Sequence, residues 1–151
     1  MSVVTLRGMG VDDLPAVMEL ERATFPADAW SERMMLGELA DQPRTRHYIV
    51  AERDGRIVGY AGLAVAGDQG DVQTIAVLAE HRRAGVGALM LNALLDEAGR
   101  RGASAVFLEV RADNAPAQAM YERFGFHQLG LRRGYYDDGT DAITMVRKLD
   151  G

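Results

Sequence analysis

Three groups of residues in this chain have types and spacings that could do chemistry. Arg82, Gly85 and Gly87 stand in the run Arg82-Arg83-Ala84-Gly85-Val86-Gly87-Ala88, between a β-rich stretch, Val72 to Val77, and a long amphipathic segment. A glycine-rich turn that opens a helix can hold an anion, because the first-turn N–H groups lack intrahelical partners and the helix dipole adds partial positive charge there; the alternative reading of the same residues is a plain helix start flanked by solvated arginines. Glu109 interrupts the apolar run Ala105-Val106-Phe107-Leu108-Glu109-Val110, on the strand face of Ala105 and Phe107. A carboxylate in a half-buried strand costs free energy unless it is paired or used, so Glu109 is either an ion-pair partner of Arg111 or a proton acceptor. Tyr121 carries a phenol that stays protonated at neutral pH and can donate a proton, or it packs as a core tyrosine beside Phe124.

Several other chemistries are excluded. A Walker loop needs Gly-Lys-Ser/Thr, and the only lysine is Lys148. A dinucleotide fingerprint needs a small residue three positions after Gly87, where Met90 stands. The absence of cysteine rules out disulfides, thiolate zinc sites and an acyl-cysteine intermediate. His47, His81 and His127 are isolated, so no metal site is expected. The net charge of -5 disfavours nucleic acid as a direct partner and suits a cationic one. No stretch approaches the roughly 20 apolar residues of a membrane span, and Met1 to Thr5 lacks the basic start and apolar core of a signal peptide, so the expectation is a cytoplasmic protein away from the membrane.

The elements that must hold these groups can be read along 151 residues, a length that suits one domain over 1–151. A first strand is expected from Val3 to Arg7, then a helix from about Asp12, its cap, to Thr24, with Leu14, Val17, Met18 and Glu21 at helical spacing. Ser31 caps a second helix carrying Met34, Met35 and Leu39 on one side, and Pro43 marks its end. His47 to Glu52 and Arg56 to Val65 form a hairpin around Asp54-Gly55, and Val72 to Val77 follows the turn Gly67 to Gly70. The helix after Gly85 places Val86, Leu89, Met90, Ala93, Leu94 and Ala98 on its buried stripe and ends at Gly102. Ser104 to Val110 is a buried strand. Asn114 caps a short helix closed by Gly125, and strands at Phe126 to Arg132 and Ala142 to Lys148 flank the turn Asp137-Asp138-Gly139. This order gives an α/β (α+β) chain with a mixed, mostly antiparallel sheet of about seven strands and about four helices.

Five segments in this order resemble the GCN5-related N-acetyltransferase (GNAT) superfamily over nearly the whole chain. They are Thr74-Ile75-Ala76-Val77, the Arg82 to Ala88 loop, Leu108-Glu109-Val110-Arg111-Ala112-Asp113-Asn114, Met120-Tyr121-Glu122-Arg123-Phe124-Gly125-Phe126, and Arg132-Arg133-Gly134-Tyr135-Tyr136 with Asp141-Ala142. The last is similar to the bacterial subgroup that acetylates the N-terminal alanine of a small-subunit ribosomal protein. The resemblance implies acetyl-coenzyme A as cosubstrate, with no metal. It implies that Arg82, Arg83, Ala84, Gly85, Val86, Gly87 and Ala88 hold the pyrophosphate, while the backbone of Ile75, Ala76 and Val77, together with Asn114, meets the pantetheine arm. It further implies Glu109 as general base and Tyr121 as general acid.

For the acceptor, the resemblance points to Phe25 and Pro26 on one side and Tyr135 and Tyr136 on the other. This chain departs from the subgroup's Phe-Pro-x-Pro-Trp-Ser run: Phe25-Pro26-Ala27-Asp28-Ala29-Trp30-Ser31 is one residue longer and lacks the second proline. The implied acceptor is a protein N-terminus, with alanine of a ribosomal protein preferred. Lysine side chains or a small amine form the alternative within the same chemistry, and a noncatalytic acyl-coenzyme A sensor is the alternative outside it.

Overall fold

A computed structural model of the chain describes residues 3–82 and 85–149. Among these residues, seven strands form one sheet: β1 (Thr5–Gly8), β2 (Arg46–Arg53), β3 (Arg56–Ala66), β4 (Gln69–Val77), β5 (Ala105–Arg111), β6 (His127–Arg132) and β7 (Ala142–Lys148), in the spatial order β1-β2-β3-β4-β5-β7-β6. Four helices accompany them: α1 (Leu14–Thr24), α2 (Glu32–Ala40), α3 (Val86–Arg100) and α4 (Ala115–Arg123). Only β4 and β5 pair in parallel, and α3 makes the crossover between them. The expected element order and mixed sheet are therefore present.

Local chemistry explains most boundaries. Arg53 pairs with Arg56 across Asp54-Gly55, both at positive φ (54° and 75°), the condition for a two-residue hairpin that follows strand twist. The Ser31 hydroxyl accepts from the Met34 N–H, and the Asn114 side chain accepts from the Ala117 N–H, so both expected caps are made. The second hairpin is tighter than expected: Ala66 pairs with Gln69, so the loop is Gly67-Asp68 alone and β4 begins three residues earlier than Val72.

The core lies on both faces of the sheet, as strand alternation requires. Ile49, Leu63, Val106, Leu108 and Val110 face α3 through Met90, Leu91 and Leu94, and Tyr121 of α4 joins them. Tyr48, Val50, Tyr60 and Ala76 face Val17 and Met18 of α1 and Met35 and Leu39 of α2. Three expectations are corrected here. Leu89 of α3 is 41% exposed and Met34 of α2 is 52% exposed, because the buried rows run through Met90, Leu91, Leu94 and Leu95 in one helix and through Met35 and Leu39 in the other. The capping acid before α1 is Asp13, not Asp12. A 3-10 turn at Val11–Asp13 precedes the helix, and the Asp13 carboxylate accepts the Gly10 N–H at 2.8 Å while Arg7 donates to it at 2.7 Å.

Gly62 shows how tightly the sheet is packed on the α1–α2 side. It pairs with Tyr48, and a Cβ placed on it would stand 2.1 Å from Cε2 of that ring. The ring cannot move aside, since it is fully buried and its hydroxyl donates to Glu38 Oε1 at 2.8 Å. Gly62→Ala should destabilise the fold by about 1–3 kcal/mol or more, as overpacked cores do. That lowers Tm by roughly 2–4 °C per kcal/mol at this length. A thermal melt with unchanged Tm would show that the Tyr48 ring does not occupy this position.

Candidate functional site

The site is built where β4 and β5 part. Their parallel pairing runs only from Gln69–Asp71 against Ala105–Phe107. Beyond it β4 stays with β3 as far as Val77, and β5 stays with β7 as far as Arg111. The edge of Val72–Val77 that faces β5 therefore has no ladder partner among the described residues. Backbone donors and acceptors left this way at a part-buried edge are stabilised by an extended ligand that carries amides. The side chains of Ile75 and Val77 pack on the α3 side, and Ala76 is buried on the other.

The start of α3 closes one end of this wedge. Gly85 sits at φ 82°, a left-handed conformation that favours glycine, and no side chain caps the helix among the described residues. A Cβ at Gly85 would meet open space, whereas one at Gly87 would lie 3.4 Å from Met120 Sδ and 3.8 Å from Val77 Cγ2. The first turn of α3 thus lies directly against the end of β4 and against α4, with its uncapped N–H groups in position for an anion. Arg82 folds back so that its Nε donates to the Val77 carbonyl at 3.2 Å. Arg83 and Ala84 lie outside the described residues. The Val86 side chain is buried beneath the turn, and Ala88 is half-buried.

Glu109 projects from the opposite face of β5 to Leu108 and Val110, towards the α1–α2 side. Its side chain is 31% exposed, and its ion-pair partner is Arg132 of β6, with Nε 3.1 Å from Oε2. The pairing to Arg111 that local spacing offered is not made. The charge of Glu109 pushes the Tyr135 hydroxyl up, and Arg132 lies over the Tyr135 ring at 5.5 Å. Tyr136 is half-buried, and burial followed by the charge of Glu109 pushes its hydroxyl up to about 12. Tyr121 is buried and its ring meets Phe126 edge-on at 5.9 Å. Burial, with a smaller contribution from Tyr136, pushes the Tyr121 hydroxyl up to about 12. Tyr136 thus feels the charge of Glu109 on one face of β5 and is itself felt by Tyr121 on the other.

The α1–α2 segment forms the remaining wall. Phe25 packs inward on the α1–α2 core, Pro26 is exposed, and the Asp28 N–H closes a turn on the Phe25 carbonyl at 3.1 Å. The segment is tied to α1 by Glu21, whose Oε2 accepts the Trp30 N–H at 2.8 Å. Glu21 is 2% exposed, and its Oε1, the Thr24 hydroxyl and the Tyr60 hydroxyl are buried without hydrogen-bond partners among the described residues. Its place on the apolar stripe of α1 was the one sign in the sequence of this buried carboxyl. Burial raises its pKa, opposed by the Trp30 N–H. Above the ordinary glutamate pKa the unfolded chain has lost a proton that the folded chain still holds, so this group makes stability fall as pH rises through that range. Glu21→Gln should remove that slope: the Tm difference between wild type and variant should shift in favour of the variant from pH 4 to pH 7. A difference that does not change with pH would contradict the raised pKa.

Known proteins share this chain's family and fold. The family model described as Acetyltransferase (GNAT) family matches residues 14–126. The N-alpha-acetyltransferase RimI of Mycobacterium tuberculosis is 39% identical over 150 residues, 95% of this chain and 92% of the relative. The ribosomal protein bS18-alanine N-acetyltransferase of Escherichia coli is 34% identical over 145 residues, 94% of this chain and 95% of the relative. The crystal structure of the ribosomal-protein-S18-alanine N-acetyltransferase from Escherichia coli superposes with a TM-score of 0.87 at 33% identity, covering 99% of this chain and 97% of the other.

Proposed function

The chain belongs to the acetyltransferase (GNAT) family and is an N-acetyltransferase, and from that premise we propose that it moves acetyl from acetyl-coenzyme A directly to the N-terminal α-amine of a protein. The preferred acceptor is the N-terminal alanine of a ribosomal protein, met in the cytoplasm. The acceptor is supported by the ribosomal protein bS18-alanine N-acetyltransferase of Escherichia coli, 34% identical over 94% of this chain. The observation that carries the reading is the divergence of β4 and β5 in front of an uncapped glycine turn, with Glu109 on the β5 side and Tyr136 linked electrostatically to both Glu109 and Tyr121.

The residues present fit the coenzyme. The N–H groups of Gly85 to Ala88, with Arg82 at the end of β4, suit a pyrophosphate, and the unpaired edge at Ile75, Ala76 and Val77 suits the amides of a pantetheine arm. Asn114 uses Oδ1 as a helix cap and keeps its amide N–H groups for the arm. When bound, the coenzyme supplies a thioester carbonyl and, after transfer, a thiolate. Glu109 accepts the proton of the acceptor ammonium, and Tyr121 keeps its proton at neutral pH and delivers it from its hydroxyl to the departing sulfur. An α-amine, with a reference pKa of about 7.7–8.0 against about 10.4 for lysine, asks less of such a base. Phe25, Pro26, Tyr135 and Tyr136 line the acceptor path, and the two walls hold the amine in line with the carbonyl.

Coenzyme A release, followed with a thiol reagent, tests the reading. Peptides with a free N-terminal alanine should turn over, and the same peptides with a blocked N-terminus should not. Turnover only on lysine side chains or small amines would move the acceptor. Coenzyme binding without release on any amine would make the chain a sensor.

A further inference from the structure

Arg111, at the end of β5, is the meeting point of three segments far apart in sequence. Its Nη1 donates to Asp28 Oδ2 at 2.5 Å, in the segment between α1 and α2. Its Nη2 donates to Asp138 Oδ2 at 2.5 Å and to Thr140 Oγ1 at 3.0 Å, in the segment between β6 and β7. Nε and Nη2 also meet the two oxygens of Asp113, each at 3.1 Å, and the guanidinium covers the Tyr136 ring at 4.8 Å from its centroid. The side chain is only 20% exposed, so these pairs are partly shielded from water.

Each wall is braced internally. The Trp30 N–H is held by Glu21, while the Gly134 N–H is held by Asp141 Oδ1 at 2.8 Å and the Tyr136 N–H by the Thr140 carbonyl at 3.1 Å. The ion pairs of Arg111 join one wall to the other. A planar fork with five donors can hold Asp28, Asp138, Asp113 and a ring face at once, which a lysine ammonium cannot.

We propose that Arg111 is a positioning residue that clamps the 25–31 segment to the 133–141 segment and so sets the acceptor groove as one unit. The inference rests on the acceptor reading above and deepens it. Within the Phe25 to Ser31 run, Asp28 is the wall's contact with the clamp. Three carboxylates around one guanidinium leave the groove rim net negative, which draws in an acceptor bearing an α-ammonium group.

Arg111→Gln, Arg111→Lys and Asp28→Asn test the clamp. In Arg111→Gln, KM for an N-terminal alanine peptide should rise about tenfold or more, with kcat and the Kd for acetyl-coenzyme A within about threefold of wild type. Arg111→Lys should recover only part of the loss. Adding Asp28→Asn to Arg111→Gln should raise KM no further, since Asp28 acts through the clamp. Hydrogen exchange of the free protein should quicken in 25–31 and 133–141 together in Arg111→Gln, a readout that needs no acceptor. Unchanged KM, additive effects, or faster exchange in only one wall would overturn the proposal. A wild type that turns over no α-amine peptide would overturn the acceptor reading alone, and the exchange measurement would still decide the clamp. Should Arg111→Gln fail to fold, Arg111→Lys and Asp28→Asn carry the same comparisons.

Discussion

Glu109→Gln should lower kcat at neutral pH by about a hundredfold or more, the low end of the range for removing a general base or acid being about a hundredfold, while the Kd for acetyl-coenzyme A stays nearly constant. Glutamine keeps the shape of the side chain and removes its ability to hold a proton. The fold should hardly notice: the carboxylate is 31% exposed and its one ion pair among the described residues is to the still more exposed Arg132, the kind of pair whose median worth is about 0–1 kcal/mol. The coenzyme wedge should not notice either, since it is made by the β4 edge and the start of α3. Stopped-flow or steady-state thiol release, beside a binding isotherm and a melt, separates these quantities. A variant with normal kcat would remove Glu109 from the chemistry and leave it as the anchor of Arg132 and Tyr135.

Tyr121→Phe should lower kcat by about a hundredfold, again without a large change in coenzyme binding. Burial favours the neutral phenol and pushes it up to about 12, so the proton is still on the oxygen at the pH where an α-amine has already lost its own. The wild-type alkaline limb should therefore not report Tyr121 in the ordinary range. Phenylalanine retains the edge-on contact with Phe126 at 5.9 Å, which keeps α4 seated. If the variant folds and turns over normally, the tyrosine is a packing residue and the thiolate takes its proton from water.

Much of this arrangement was legible because it is local. The Asp54-Gly55 hairpin, the Ser31 and Asn114 caps and the glycine at the start of α3 each depend on a few consecutive residues, and all four form as their chemistry requires. Where neighbouring choices were nearly equal in energy the reading slipped by one or two positions, as between Asp12 and Asp13, where Arg7 decides, or between Leu89 and Leu91, where the sheet beneath α3 decides. The parting of β4 and β5 left no mark, since it depends on which strands each keeps as partners rather than on either strand's residues. Arg111 was visible only as a neighbour of Glu109. Its true partners stand 83 and 27 residues away, and the fold alone brings them to one guanidinium.

Tandem mass spectrometry of one peptide that begins with alanine and carries an internal lysine tests direct transfer to an N-terminus most plainly. After reaction with acetyl-coenzyme A, the added acetyl should be found on the α-nitrogen of the alanine and nowhere else, and the wild-type signal should fall with Glu109→Gln. Acetyl on the lysine alone, or an unmodified peptide in the presence of bound coenzyme, would contradict it.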